Sequence, residues 1–160
     1  MLVCVKIKSK GEYPVNNVLS IHKLSALDVI LRPEIVGEIN RLLQVLKPDA
    51  PRRITRSELI LMLALRRRTV VVAIHDGNVV GMGTMALIRQ LGRVYALIED
   101  VVRLPEFPRL GIFAKIMDML EEIAYAHGAA RIELHTSRTH AMQKYAARNY
   151  KEYNTTLLRK

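Results

Sequence analysis

The sequence predicts one domain of the α/β (α+β) class, built on a mixed, mostly antiparallel central sheet. Three observations lead to this class. Apolar-rich stretches over 69–74, 78–88 and 93–103 follow one another with only short turns between them, which is typical of an antiparallel meander. Segments that begin near residues 33 and 112 carry apolar residues at helical spacing. Near the carboxyl end a helix separates two strands, and such a crossover places the two strands parallel.

The first half of the chain gives one strand and two helices. Residues 1–17 are an alternating, lysine-bearing extension, and the domain proper, 18–160, opens with a strand over 18–24. A helix begins at Pro33 and ends before Pro48, since proline suits a first turn and cannot continue a helix. The pattern Thr55-Arg56-Ser57-Glu58 is a capping box and starts a second helix, which we expect to finish on the three arginines 66–68.

The second half contains the meander and the crossover. His75-Asp76-Gly77 joins the first two strands, because Asp-Gly adopts the positive φ angles of a tight hairpin. The helix that follows the 93–103 strand continues to Gly128, a predicted C-cap, and a strand over 131–136 comes next. A final helix over 138–148 stops at Asn149, and 150–158 is predicted to be a last strand.

Composition and charge exclude several classes of protein. With 160 residues, half of them apolar, and only 8 glycines and 6 prolines, disorder and repeat arrays are disfavoured. The longest apolar run, 59–65, is far shorter than the roughly 20 residues of a membrane span, so no membrane partner is expected. The single cysteine, Cys4, and the lack of a secretory signal favour a reducing, cytoplasmic compartment.

The net charge of +10 concentrates anions around the protein, whether nucleic acid, a membrane surface or a polyphosphate cofactor. It does not choose among them. An aromatic content of 5% without tryptophan disfavours an RNA binder that stacks bases, and it leaves binding to a nucleic-acid backbone open.

The segment 98–120 is the most informative part of the chain. It reads as a strand, a short loop with Gly111, and a helix, an arrangement that aims unpaired backbone N–H groups and a helix dipole at one point. Such a point is suited to a pyrophosphate group. One glycine in a turn is a weak signal by itself.

The residues 98–115, IEDVVRLPEFPRLGIFAK, resemble motif A of the GNAT (GCN5-related N-acetyltransferase) family. That motif has an I-E-D-V-V-V-like strand, a short P-E-Y, and then R/Q-x-x-G-x-G/A. A second match joins 136–138, Ala141, Tyr145 and the Asn149-Tyr150 pair to the family's N-x-x-A-x-x-x-Y-x-x-x-G-F element, and 154–159 to its tail. The resemblance covers 18–160 and is strongest to small uncharacterised bacterial members.

The resemblance implies transfer of an acetyl group from acetyl-CoA to an amine, without a covalent enzyme intermediate. It also implies helices on both faces of the sheet and a 93–103 strand that bulges and splays from the 131–136 strand, leaving a slot for pantetheine. By this resemblance a backbone N–H of the bulge polarises the thioester carbonyl. The implied cofactor-binding residues fall in three groups. They are Val101, Val102 and Arg103 for pantetheine, Arg109, Leu110, Gly111, Ile112, Phe113 and Ala114 for the pyrophosphate, and Arg138 and Ala141 at the last helix.

The chemistry needs a base for the acceptor ammonium ion and a proton donor for the leaving thiolate. Glu99 is the first candidate base and Asp100 the second. Adjacent residues of a regular strand point to opposite faces, so at most one of them faces the substrate directly. Structural hydrogen bonding at the bulge is the alternative role for both. Tyr145 matches the family's tyrosine and is the candidate proton donor, with a packed core tyrosine as the alternative.

Four positions depart from the family pattern. Pro108 replaces the leading Arg or Gln, and Arg109 replaces the glycine after it, where it can restore a phosphate contact from a shifted position. Phe113 replaces the last small residue, and Arg138 stands where a neutral amide is usual. Pro108 and Phe113 motivate a second hypothesis, a degenerate family member with weak or no CoA binding. Such a protein would be a basic binding or assembly subunit, on RNA or a ribonucleoprotein.

The remaining expectations concern metals and partners. The five histidines show no paired metal-ligand spacing, so no metal is expected. The acceptor amine is not identified by the sequence, although the positive charge favours an acidic or phosphate-bearing molecule. Both a monomer and a homodimer fit the sequence.

Overall fold

A computed structural model describes residues 18–49, 52–66, 68–108, 110–136 and 138–153. The predicted extension 1–17 therefore lies outside the described residues. The strands are β1 (Ser20–Lys23), β2 (Thr69–His75), β3 (Asn78–Gln90), β4 (Arg93–Arg103) and β5 (Ile132–Leu134). The helices are α1 (Ala26–Leu31), α2 (Ile35–Leu46), α3 (Arg56–Ala64), α4 (Ile112–Ala126) and α5 (Thr139–Ala146).

The strands form one sheet in the order β1-β2-β3-β4-β5. Each neighbouring pair is antiparallel except β4 and β5, which are parallel. The predicted mixed, mostly antiparallel sheet is confirmed, as is the parallel pairing across the α4 crossover. At the β2–β3 turn Asp76 and Gly77 have φ angles of 48° and 78°, the positive values that the Asp-Gly pattern predicts.

Helices cover both faces of the sheet. An added Cβ on Gly81 or Gly83 of β3 would meet the side chains of Ile112, Ile116 and Leu120, so α4 packs directly on the glycine face. Helix α2 also packs on β3 and β4 but forms no packed pair with α4, and it covers the opposite face. The two glycines thus let α4 approach the middle of the sheet closely.

Two helix predictions need correction. Helix α1 was not predicted, although Ser25 and Asp28 form a full capping box at its start. Helix α3 begins at the predicted Thr55 capping box but ends at Ala64, and its last turn contains no basic residue. Arg66 has a φ of 51° and turns the chain towards β2, so Arg66 and Arg68 lie beyond the end of the helix.

The carboxyl-terminal region agrees with prediction only in part. Gly128 and Asn149 have φ angles of 76° and 66° and follow the ends of α4 and α5, as predicted. The predicted strand over 150–158 is wrong where it can be judged, because 150–153 are not in a strand. Its remainder lies outside the described residues.

Candidate active site

A cleft of about 510 Å³ lies where β4 and β5 part. The two strands pair at only three positions, the last being Ile98 with Leu134, and β4 then continues to Arg103 without a β5 partner. Main-chain groups on that edge are therefore open to a ligand that lies along the strand. The splay expected from the sequence resemblance is present.

A β-bulge interrupts β4 at the floor of the cleft. Thr84 is in register with Glu99 and Met82 with Val102, so Asp100 and Val101 together oppose Gly83. Asp100 has a φ of 53°, the left-handed conformation found at the first position of one common bulge type. The bulge re-aims the backbone and side chains of β4 at the point where the slot opens.

Thr84 supports the bulge from the neighbouring strand. Its side chain is buried, and its Oγ1 donates to the Glu99 carbonyl oxygen at 3.1 Å. The same Oγ1 lies 3.5 Å from Asp100 Oδ2. A threonine at this position therefore fixes both acidic residues relative to β3.

The two carboxylates lie on one side of the sheet, which corrects the expectation of opposite faces. Glu99 is directly across from Thr84, and the Thr84 hydroxyl also touches the Asp100 carboxylate. The expectation failed because the bulge removes the strict alternation of a strand. Each carboxylate is paired with an arginine at 2.5 Å, Glu99 with Arg68 and Asp100 with Arg52.

Tyr145 of α5 lies in the cleft wall beside Phe113 of α4. Their ring centroids are 5.4 Å apart in an edge-on arrangement, and the Tyr145 and Tyr150 ring centroids are 5.8 Å apart in a similar arrangement. Burial raises the pKa of the Tyr145 phenol above its usual value. A protonated hydroxyl at neutral pH is what a proton donor requires.

The predicted helix begins directly after Gly111, at the amino end of α4. Gly111 is the N-cap, with a φ of 65°, and apart from its chain neighbours no atom of the described residues lies within 4 Å of the point where a Cβ would stand. Open space therefore adjoins the free N–H groups of the first turn, where a phosphate can be received. The Ile112 side chain is buried in the core instead.

The cleft gathers most of the predicted site residues but not all of them. Its lining includes these nine: Glu99, Asp100, Val101, Val102, Arg103, Phe113, Arg138, Ala141 and Tyr145. Leu110, Gly111, Ile112 and Ala114 lie outside the lining, at or near the start of α4, and Arg109 is outside the described residues. Whether these residues bind a cofactor stays a prediction.

The sequence did not predict that the end of α2 forms part of the cleft wall. Val45, Leu46 and Lys47 line the cleft, and Arg138 Nη2 donates to the Leu46 carbonyl oxygen at 2.5 Å, across 92 positions of sequence. Arg138 is thus held at the end of α2, and no local sequence pattern predicts such a contact. Lys144 was missed as well, with its Nζ 5.6 Å from the Phe113 ring centroid.

Among the described residues no three His, Cys, Asp or Glu side chains are grouped so that they could hold a metal ion. No helix in the described part of the chain is long and apolar enough to cross a membrane.

Comparison with known proteins gives a family and a fold. The model of the acetyltransferase (GNAT) family matches residues 39–150. No curated protein sequence matches the chain. Many solved structures match the fold, and three of them illustrate the likeness over nearly their whole length.

An acetyltransferase from Trypanosoma brucei has a TM-score of 0.72 and 20% identity, covering 89% of this chain and 99% of its own. An aminoglycoside acetyltransferase from an uncultured soil metagenomic sample has a TM-score of 0.75 and 21% identity, covering 91% and 98%. Glucosamine-6-phosphate N-acetyltransferase from Arabidopsis thaliana has a TM-score of 0.73 and 16% identity, covering 89% and 98%.

Proposed function

The chain belongs to the acetyltransferase (GNAT) family, and on this premise we propose that it moves an acetyl group from acetyl-CoA to a primary amine by direct attack in a ternary complex. The observation that carries the proposal is the free, bulged edge of β4 inside the cleft, with Glu99 and Asp100 at the bulge and Tyr145 in the opposing wall. The proposal includes a cytoplasmic location, because a lone Cys4 suits a reducing compartment.

The described residues fit acetyl-CoA in two respects. The β4 edge at Val101, Val102 and Arg103 has no β5 partner, so its main-chain groups suit the amides of a pantetheine arm. The α4 amino end, with open space at Gly111, suits a pyrophosphate. When bound, acetyl-CoA supplies the acetyl group as a thioester.

The side chains of the cleft divide the proton transfers between them. Glu99, with Asp100 as second candidate, accepts a proton from the acceptor ammonium, because only a neutral amine is nucleophilic. Tyr145 holds its proton through neutral pH, since burial raises its pKa, and it donates that proton to the leaving sulfur. Before either acid can act as the base, the arginine that pairs with it must release it or move with it. That arginine is Arg68 for Glu99 and Arg52 for Asp100.

One observation favours the alternative function, a basic binding or assembly protein with weak CoA binding. The Phe113 ring lies in the cleft at the first turn of α4, where it contacts the Tyr145 ring and the Lys144 ammonium. A bulky ring at this position reduces the room for a phosphate group beside the helix end. In that case the charge of +10 would serve a nucleic-acid backbone, with affinity that falls steeply as salt rises.

Calorimetric titration with acetyl-CoA separates the two functions. The protein is titrated in its native form and as Phe113→Ala, with Phe107→Ala as the matched control. Phe107 is the chain's other phenylalanine, half-buried against His75 and outside the cleft lining. Binding by the native chain, followed by amine-dependent release of CoA thiol that Glu99→Gln and Tyr145→Phe abolish, supports the transferase.

The opposite pattern would support the alternative. If the native chain does not bind acetyl-CoA and only Phe113→Ala does, the cleft is sterically closed and the native protein is not an acetyltransferase. Salt-dependent binding of an RNA duplex by that same native protein, without competition from acetyl-CoA, would then identify the basic surface as the functional one.

A further inference from the structure

We infer that the acceptor amine also carries an anionic group, a carboxylate or a phosphate, which Arg52 and Arg68 receive. The inference rests on the proposed function and names the substrate class of the same site. It starts from the two arginine–carboxylate pairs at the bulge, Arg68 with Glu99 and Arg52 with Asp100. Both arginines come from the segments that flank α3, and both carboxylates come from β4.

The charges of this quartet are balanced before any acceptor arrives. Two guanidinium groups and two carboxylates sum to zero. A simple ammonium ion that takes a carboxylate displaces an arginine and leaves that guanidinium unpaired, so the site gains a charge of +1. An acceptor with both an ammonium and an anion separates one pair, binds the carboxylate with its ammonium and the guanidinium with its anion, and keeps the sum of charges at zero. The quartet therefore complements a zwitterion better than a plain amine.

Exposure shows that the pairs can exchange partners. The side chains of Arg52 and Asp100 are 52% and 24% exposed, and those of Arg68 and Glu99 are 36% and 37% exposed. Ion pairs so open to water are weak, because water solvates the separated ions well. An incoming ligand can therefore separate them at little cost.

The arginines also have hydrogen-bonding capacity to spare. A guanidinium carries five N–H donors, arranged in a fork that matches carboxylate and phosphate oxygens. Among the residues the structure describes, Arg52 contacts only Asp100 and Arg68 contacts only Glu99 through charged or hydrogen-bonding groups. Asp100, in contrast, is also held near the buried Thr84 hydroxyl. Asp100 thus has a second polar neighbour, whereas Arg52 has Asp100 alone as its polar partner among the described residues.

Matched pairs of amines test this inference. The carboxylate arm compares α-amino acids with their amides, and the phosphate arm compares O-phosphoethanolamine with ethanolamine. For each pair we expect the anionic member to have the higher kcat/KM for CoA thiol release, by about ten- to hundredfold, the worth of one or two charge-assisted hydrogen bonds. Whichever arm shows the preference identifies the source of the anion.

Variants show whether the arginines cause the preference. Arg52→Gln and Arg68→Gln should reduce the ratio of anionic to neutral kcat/KM towards one, and Arg52→Lys and Arg68→Lys should keep part of it. Arg53→Gln is the matched control, because Arg53 is exposed beside Arg52. Comparing each variant's ratio with the native ratio cancels the intrinsic reactivity of the two amines. Circular dichroism checks that each variant is folded.

A binding readout keeps this test separate from the test of acetyl transfer. Calorimetric titration of the native protein and of Arg52→Gln with both members of each pair needs no acetyl-CoA. Tighter binding of the anionic member that is lost in the variant supports the inference even if no transfer occurs, in which case the proposed function alone fails. Equal binding or equal kcat/KM within both pairs, or an unchanged ratio in the arginine variants, overturns the inference and leaves the transferase intact.

Discussion

Replacing Gly81 by alanine tests how closely α4 packs on β3. The new Cβ would stand 2.5 Å from Ile112 Cγ2 and 3.3 Å from the Val102 carbonyl oxygen. Carbon atoms in contact are ordinarily about 3.5–4.0 Å apart, so the overlap is roughly 1 Å or more. Ile112 cannot easily turn away, because a β-branched side chain has one strongly preferred rotamer in a helix.

The expected loss of stability follows from two opposing effects. Overpacking of this kind costs about 1–3 kcal/mol. Reduced freedom of the unfolded chain returns about 0.4–1 kcal/mol. An overlap of this size puts the cost in the upper part of its range, about 2–3 kcal/mol. The net destabilisation of about 1–2.5 kcal/mol should lower Tm by roughly 2–10 °C in a domain of this size. Because Ile112 opens α4, the same shift should weaken acetyl-CoA binding at the helix end.

Gly37 provides an internal control for the same substitution. It lies within α2, and beyond its chain neighbours and the backbone of its own helix no atom of the described residues is within 4 Å of its Cβ position. Gly37→Ala should stabilise the protein by about 1 kcal/mol, because alanine is the better helix former. The measurement is thermal unfolding of both variants beside the native protein. A Gly81→Ala protein with a Tm equal to or above that of the native chain would refute the close-packing argument.

Two further predictions concern the end of α5. Burial raises the pKa of both Tyr145 and Tyr150, so above pH 10 the unfolded chain loses these protons before the folded chain does. Stability that is complete below pH 10 should therefore fall as pH rises beyond it, and a Tyr150→Phe variant measured by urea unfolding at pH 9 and 11 should fall less. Arg148 bonds both carboxylate oxygens of Glu121, with Nε at 3.2 Å and Nη2 at 2.7 Å. Arg148→Ala should lose about 1.5–3 kcal/mol in urea unfolding at pH 7, and an Arg148→Lys protein equal to the native one would contradict a role for the bidentate geometry.

The sequence predicted most of the fold because most of its signals are local. Alternation, helical spacing, the Thr55 capping box and the Asp-Gly turn each act within a few residues, and each feature is present in the structure. Helix α1 was not predicted, because its six residues make less than two helical turns and show too little periodicity. Helix α3 was extended too far, because three arginines suit a helix end whether or not the helix reaches them.

The candidate site was harder to predict because it is assembled from distant segments. The residues on β4, α4 and α5 were found through a motif whose members are close in sequence. Arg52, Arg68 and Leu46 were not, since each reaches its partner across a separation that no periodic pattern reports. Tertiary packing alone determines which surface side chains become neighbours of the cleft.

The bulge explains why the two acids could not be separated from sequence alone. Alternation along a regular strand would have directed Glu99 and Asp100 to opposite faces, and one of them would have been removed as a candidate base. An extra residue opposite Gly83 brings both carboxylates to the side of Thr84 instead. The distinction between them then depends on their surroundings. Asp100 is held by Thr84 as well as by Arg52, whereas Glu99 has Arg68 as its side-chain partner among the described residues. Glu99 therefore needs to break fewer contacts to reach an incoming amine, and this asymmetry supports it as the first candidate base on grounds that the strand pattern could not supply.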